Sequence, residues 1–153
     1  MLGKNVNNEV TIADLYKTYV FINLNKNKMD EKSFRQCFLK STNLFFFSKC
    51  NKVGYLLARI IDIDIEIIEF KVQRNSRRKG VGAHLLKQLI RKGRILKKEK
   101  IFLEVSVENF PAINLYKKLG FKKIGKRKNY YNIKGETKDA FLMQFILLKR
   151  LSN

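Results

Sequence analysis

The stretch IEIIEFKVQRNSRRKGVGAHLLKQLI, residues 65 to 90, decides the fold of this chain. Residues 65 to 72 are rich in β-branched and aromatic side chains, which favour a largely buried strand. Further on, apolar residues recur at Leu85, Leu86, Leu89 and Ile90. That spacing places them on one stripe of a helix, with basic and amide side chains on the other side. The stretch therefore predicts a central strand, a short basic connection and a helix that packs one face on the sheet.

Two glycines, Gly80 and Gly82, mark the start of that helix. Glycine lets the backbone approach a ligand closely, and the first N–H groups of a helix lack partners within it. The basic run Arg77-Arg78-Lys79 adds positive charge, so the connection predicts a site for an anion such as a pyrophosphate. The spacing matches neither a Walker loop nor a full dinucleotide fingerprint. Nucleoside triphosphatase and Rossmann oxidoreductase functions are therefore disfavoured.

A second informative block runs from Ile101 to Phe121. Residues 101 to 107 alternate in polarity as a strand does, and Glu104 is a charge inside this apolar run. Asn109 is a candidate helix N-cap, and Gly120 is placed to end that helix. The block predicts a strand followed by a helix.

These two blocks resemble the signature motifs of the Gcn5-related N-acetyltransferases (GNAT). The first is R-R-K-G-V-G at 77 to 82, and the second is N-x-x-A-x-x-L-Y-x-x-x-G-F from Asn109 to Phe121. The resemblance covers residues 52 to 147, and the part before it is divergent. It implies one domain with the α/β (α+β) GNAT fold: a mixed, mostly antiparallel sheet of about six to seven strands, flanked by about four helices.

Three further segments resemble the RimI-type branch of this family, which acetylates the amino-terminal alanine of a small-subunit ribosomal protein. They are LEV at 103 to 105, NLY at 114 to 116 and RKNYYNIKGETKDAFLM at 127 to 143. The resemblance implies an enzyme that uses acetyl-coenzyme A (acetyl-CoA) as acyl donor, without a metal. Its implied acceptor is the α-amino group of a protein, in particular a basic ribosomal protein.

The resemblance also implies roles for individual residues. Glu104 is the general base, and Tyr116 is the acid that meets the departing thiolate. Glu66 is an alternative base, because the histone-acetylating branch carries its catalytic glutamate on the central strand. Tyr130 and Tyr131 wall the acceptor site. The residues implied to hold acetyl-CoA are Phe70, Lys71, Val72, Arg77, Arg78, Lys79, Gly80, Val81, Gly82, Ala83 and Asn109.

The chemistry of the acceptor favours an α-amino group. An amine attacks a thioester only in its neutral form, and α-amino groups titrate at about 7.7 to 8.0 whereas lysine titrates at about 10.4. At a fixed pH the difference costs lysine about 3.5 kcal/mol. Two alternatives stay open: a GNAT enzyme that acetylates a lysine side chain or a small amine, and a non-catalytic acyl-CoA-binding or RNA-associated protein.

Composition narrows the remaining possibilities. The 153 residues suit one domain, and the amino terminus lacks a secretory signal, so we expect a cytoplasmic protein. Cys37 and Cys50 are not in a metal or redox spacing, and His84 is the one histidine, so no metal site is expected. The formal charge of +20 is spread along the chain, and Lys, Asn and Ile are all abundant. Nucleic-acid binding is therefore not expected as the main role, although the charge suits residence near ribosomes.

The rest of the chain predicts further elements. Apolar spacing over 11 to 23 predicts a first helix, and Asp30 begins a second, short one. A hairpin is predicted from 45 to 48 and 53 to 61, joined by a turn at 49 to 52. Two closing strands are predicted at 122 to 134 and 138 to 148. Asp62, Asp64 and Glu66 are predicted to share one side of the central strand and to attract a basic peptide.

Overall fold

The structure, a computed structural model, describes residues 11–23, 28–48, 53–133 and 135–148. Its helices are α1 (Ile12–Ile22), α2 (Glu31–Leu39), α3 (Val81–Ile95) and α4 (Phe110–Lys118), with a short 3-10 turn at Arg74–Ser76. Its strands are β1 (Asn43–Phe47), β2 (Gly54–Ile61), β3 (Asp64–Val72), β4 (Lys100–Ser106), β5 (Lys122–Ile133) and β6 (Glu136–Ile146).

The strands form a six-stranded sheet in the order β1-β2-β3-β4-β6-β5. Every neighbouring pair is antiparallel except β3 and β4, which are parallel. This confirms the predicted mixed, mostly antiparallel sheet, and it places the strand of residues 65 to 72 at the centre as predicted. The turn at 49 to 52, which was predicted to join β1 to β2, lies outside the described residues.

The two central strands separate soon after they meet. In the described sheet, β3 pairs with β4 only at Ile65 with Ile101 and at Glu66 with Phe102. Immediately beyond, β3 has a bulge, because Ala58 of β2 faces Ile67 whereas its neighbour Leu57 faces Glu69. The extra residue of a bulge bends its strand. The opening between β3 and β4 beyond the last pair is called the strand gap below.

Capping side chains fix where three of the helices begin. Thr11 and Asp14 form a capping box at α1, and Asp30 caps α2 by accepting the Ser33 N–H at 2.8 Å. Asn109 caps α4, where its side-chain oxygen accepts the Ala112 N–H at 3.4 Å. Each cap satisfies an N–H group that would otherwise lack a partner. The predicted starts of all three helices are confirmed.

Apolar residues are buried on both faces of the sheet. On one face, the predicted leucine stripe of α3 packs against strands β1 to β4, and Leu85, Leu86 and Leu89 are fully buried. Burial of such side chains contributes about 1.5 to 3 kcal/mol each. On the other face, α1 and α2 cover an aromatic cluster around Phe34, which is fully buried, and Tyr55.

Gly93 explains how α3 continues past an apparent break in its leucine stripe. A Cβ atom at Gly93 would lie 2.6 Å from Leu147 Cδ1 and 3.2 Å from Ile65 Cδ1. Such distances are shorter than ordinary van der Waals contact, so only glycine permits this approach. The helix therefore runs to Ile95. Within the described residues, no helix is long and apolar enough to cross a membrane.

Candidate active site

A cleft of about 180 Å³ lies where β3 and β4 separate and β5 approaches them. Its floor and walls come from three strands, and they combine carboxylates, phenols and two aliphatic side chains. The lining residues are Glu66, Ile67, Ile68, Glu104, Tyr130 and Tyr131. The cleft therefore brings together both candidate bases and both tyrosines that the sequence assigned to the acceptor site.

Glu104 is held from several directions. It lies on β4, whose alternate residues Leu103 and Val105 are buried in the core on the other face. Its Oε1 forms an ion pair with Arg127 Nη1 at 2.7 Å, and its backbone oxygen accepts a hydrogen bond from the Tyr131 hydroxyl at 3.2 Å. Only 15% of its side chain is exposed. These contacts keep the carboxylate at the cleft with a defined orientation.

Tyr130 completes the surroundings of this carboxylate. A hydrogen bond from its hydroxyl to Glu104, with burial as a smaller cause, raises the pKa of Tyr130 to about 12. The ring stands at 88° to that of Tyr131 with centroids 4.9 Å apart, and the Arg127 guanidinium carbon lies 5.5 Å from its centre. The phenol therefore stays protonated at neutral pH and can donate to the carboxylate.

An irregularity in β5 sends Tyr130 towards the cleft. Arg127 faces Ala140 and Tyr131 faces Lys138, so three residues of β5 oppose one of β6. Asn129 has φ 52°, and its N–H donates to Asp139 Oδ1 at 3.0 Å. Lys126 Nζ lies 2.6 Å from the other oxygen of Asp139. The Lys126 bond, followed by the Asn129 N–H, lowers the pKa of Asp139, so the carboxylate that shapes this bulge stays ionised.

The rival base, Glu66, has an arginine partner of its own. Arg59 Nη2 donates to Glu66 Oε2 at 2.7 Å. Its neighbour Asp64 lies 3.7 Å from Lys100, and Asp62 sits in the turn before β3 with φ 50°. The prediction that all three carboxylates share one side of the central strand was wrong for Asp62, which lies in the turn before β3. Asp64 and Glu66 do alternate with the buried Ile65 and Ile67, and each already has a cationic partner.

Tyr116 lies on the opposite face of the sheet from Glu104, on α4. It is 5% exposed and packs against Phe70 and Phe121, with ring centroids 6.3 and 5.6 Å away. Burial, and to a smaller degree the nearby Tyr131, raises the pKa of Tyr116 well above its usual value. A phenol in this state keeps its proton at neutral pH, as a proton donor must. The candidate base and acid thus approach the strand gap from its two sides.

The predicted anion site lies at the start of α3. Gly80 is the N-cap with φ 82°, and the first helical bond runs from the His84 N–H to the Gly80 oxygen at 2.9 Å. The N–H groups of Val81, Gly82 and Ala83 precede that bond and are available to an anion. Arg77, Arg78, Lys79 and Gly80 are all exposed.

Gly82 has a packing role as well. A Cβ atom there would lie 3.1 Å from both Leu115 Cδ2 and Phe70 Cζ, so glycine lets the start of α3 approach β3. The adjoining connection is fixed by Arg77, whose Nε donates to the Val72 oxygen at 3.1 Å. A carboxylate or longer side chain at position 82 would therefore disturb packing as well as any ligand.

The strand gap exposes backbone groups that suit an extended ligand. Residues 70 to 72 pair with β2 on one side, whereas the described β4 does not pair with them on the other. Unpaired strand edges offer N–H and C=O groups to an added chain. The Lys71 side chain points away, bonding to Glu69 and to the buried Asn23. A ligand in the strand gap would meet the Lys71 backbone instead.

Two lining residues, Ile67 and Ile68, and the ion-pair partner of Glu104, Arg127, were not assigned as site residues from the sequence. Arg127 opens the quoted segment RKNYYN, so its place beside two tyrosines was a usable signal. Ile68 is the bulge residue, 47% exposed despite its apolar neighbours, and only the strand register reveals it. The ligand role of Asn109 stays a prediction beside its capping role. Among the described residues, no group of three metal-ligating side chains is close enough to hold an ion.

Comparisons with known proteins agree with this geometry. An N-alpha-acetyltransferase of Saccharolobus solfataricus is 30% identical in an alignment of 152 residues that covers 89% of this chain and 81% of that protein. One of Sulfurisphaera tokodaii is 40% identical over 78 residues, which are 50% of this chain and 45% of that protein, so the chain matches less than half of that relative. The crystal structure of the ribosomal-protein-S18-alanine N-acetyltransferase from Escherichia coli superposes with a TM-score of 0.79 at 25% identity and covers 94% of both chains.

The family comparison reaches further towards the amino terminus than the motifs do. The sequence model of the acetyltransferase (GNAT) family matches residues 10–121, upstream as well as downstream of residue 52. Because this match spans more than half of the 153 residues, the chain belongs to the acetyltransferase (GNAT) family.

Proposed function

We propose that the protein is an acetyl-CoA-dependent N-acetyltransferase whose acceptor is the α-amino group of a protein, in particular the amino-terminal alanine of a ribosomal protein. The observation that carries this proposal is the cleft in which Glu104 is oriented at one side of the strand gap, with the start of α3 beyond it. Family membership supports the reaction type. The α-amino acceptor is supported by the names of the relatives from Sulfurisphaera tokodaii and Saccharolobus solfataricus, both of which are N-alpha-acetyltransferases.

The residues present fit acetyl-CoA. The N–H groups of Val81, Gly82 and Ala83 and the exposed charges at 77 to 79 suit its pyrophosphate. The open backbone edge of β3 at 70 to 72 suits an extended amide-containing arm. When bound, acetyl-CoA supplies an acetyl group activated as a thioester.

Glu104 and Tyr116 then divide the proton transfers. Glu104 accepts a proton from the acceptor nitrogen as that nitrogen forms its bond to the acetyl carbon. Tyr116 gives its proton to the sulfur as the carbon–sulfur bond breaks. The raised pKa of Tyr116 keeps the proton available until then. An ionised Glu104 and a protonated Tyr116 are the starting forms that this division requires.

The cleft also bears on the first residue of the acceptor. Its volume of about 180 Å³, bordered by polar groups and by the apolar pair Ile67 and Ile68, can hold the short side chain of alanine. Alanine is the residue named for the Escherichia coli protein of similar structure. The ion-paired state of Asp64 and Glu66 offers no added attraction for a basic tail, so the ribosomal acceptor rests on the comparison.

The proposal is tested with synthetic peptides. A peptide beginning with alanine should be acetylated at its amino terminus, and the same peptide with that terminus blocked should react far more slowly. Mass spectrometry of the product locates the acetyl group. Acetylation of an internal lysine at equal rate, or of a polyamine alone, would assign the protein to the lysine or small-amine alternative. Binding of acetyl-CoA without turnover of any acceptor would favour the non-catalytic alternative.

A further inference from the structure

A guanidinium group occupies the candidate active site without a part in the proton transfers. Arg127 Nη1 lies 2.7 Å from Glu104 Oε1. The Arg127 side chain is 56% exposed and that of Glu104 only 15%, so the arginine sits on the solvent side of the pair. An acceptor amine that bonds to the Glu104 carboxylate therefore comes close to this positive charge.

We infer that Arg127 is a specificity-determining residue, whose charge keeps ammonium groups from Glu104 and so selects α-amino groups over lysine side chains. This inference rests on the proposed function, because it requires that Glu104 be the base. Its physical basis is that a carboxylate already paired with a guanidinium has little attraction left for a second cation.

The other charges of the cleft reinforce this effect. Glu66, the second carboxylate that lines it, is paired with Arg59 at 2.7 Å. From β5, the cleft is lined by Tyr130 and Tyr131, whose pKa values are both raised, so both phenols are neutral near pH 7. Among the described lining residues, each carboxylate thus has an arginine partner, and an incoming ammonium meets no uncompensated negative charge.

If ammonium groups are excluded from the cleft, the difference in pKa between an α-amino group and a lysine side chain becomes a preference for the α-amino group. An α-amino group and a lysine side chain differ by about 2.5 pKa units, so at pH 7 the α-amine is neutral roughly 300 times more often. If both acceptors must enter neutral, kcat/KM should favour the amino terminus by about that factor. An unpaired Glu104 could bind the ammonium form of lysine. The lysine peptide would then bind more tightly and recover part of this difference in kcat/KM.

The experiment compares two peptides of one sequence that contains a single lysine, one with a free amino terminus and one with it blocked. The wild-type protein, Arg127→Gln and Arg127→Lys are assayed at pH 7 for kcat and KM on each. We expect Arg127→Gln to lower the ratio of the two kcat/KM values by about tenfold or more, chiefly by lowering KM for the blocked peptide. The lysine variant keeps the charge and should stay within about threefold of the wild type.

Arg91→Gln is the matched control, because Arg91 is an exposed arginine of α3 that lies outside the cleft. It removes one positive charge from the protein and should leave the ratio unchanged. Equal loss on both peptides in Arg127→Gln would mean that Arg127 only positions Glu104, and the inference would be overturned. A wild-type preference for the blocked peptide would instead refute the proposed function.

Discussion

Replacing Glu104 by glutamine tests the assignment of the base most directly. The amide keeps the shape of the side chain and an oxygen for Arg127, and the Tyr131 hydroxyl still bonds to the backbone oxygen of residue 104. Proton acceptance is lost, and general base catalysis of this kind contributes about 10²- to 10⁴-fold. We expect kcat/KM to fall by at least about 100-fold, which corresponds to about 2.7 kcal/mol of transition-state stabilisation.

The loss of stability should be much smaller than the loss of rate. The Arg127–Glu104 ion pair is partly exposed, and pairs of this kind contribute about 0.2 to 1 kcal/mol. For a chain of this size that corresponds to a fall in melting temperature of at most about 4 °C. A folded variant with lost turnover therefore separates catalysis from folding.

Glu66→Gln is the matched control for this experiment. Glu66 lines the same cleft and has an arginine partner at the same distance of 2.7 Å, so its replacement disturbs a similar ion pair. Thiol release from acetyl-CoA, followed with an alanine peptide, measures both variants under identical conditions. The reasoning fails if Glu66→Gln loses turnover while Glu104→Gln retains it, because the base would then lie on β3.

Three further variants probe other parts of the site. Tyr116→Phe should lower kcat by about tenfold or more with KM for the peptide unchanged, and equal kcat values would remove Tyr116 from its role as acid. Lys79→Gln should raise KM for acetyl-CoA roughly several-fold, because one charged contact to the phosphate is lost. An unchanged KM would mean that the pyrophosphate binds elsewhere. Asp139→Asn should weaken the β5 bulge. Folding lowers the pKa of Asp139, so its ionised carboxylate contributes to stability above about pH 3.9, the pKa of an unfolded aspartate. That contribution is lost as the pH falls through the lower pKa of the folded protein. The melting temperatures of wild type and Asp139→Asn should therefore differ at pH 7 and converge in acid, and a constant difference would exclude the ionised carboxylate as the cause.

Local patterns in the sequence were enough to predict most of the elements. Caps at Asp30 and Asn109 and the leucine stripe of α3 are properties of neighbouring residues, so they can be recognised without a structure. The place of Glu104 in the cleft could also be expected, because strand alternation separates it from the buried Leu103 and Val105.

What could not be predicted depends on contacts between distant segments. The pairing of Glu104 with Arg127 joins residues on β4 and β5, and nothing in the spacing of either strand specifies it. The exposure of Ile68 follows from the register of β2 against β3, which the composition of β3 does not encode. The need for glycine at position 93 could not be read from α3 alone, because it follows from the approach of Leu147, which lies far along the chain.

The strand gap has a consequence for the stability of the whole protein. It divides the sheet into two three-stranded units, β1 to β3 and β4 to β6, with few backbone bonds across the boundary. Helix α3 spans both units, and at Gly93 it touches Ile65 of one and Leu147 at the end of the other. A donor bound in the strand gap would join the two units from the open side, and its binding free energy would add to that of folding. If that donor is acetyl-CoA, adding it should raise the melting temperature of the protein.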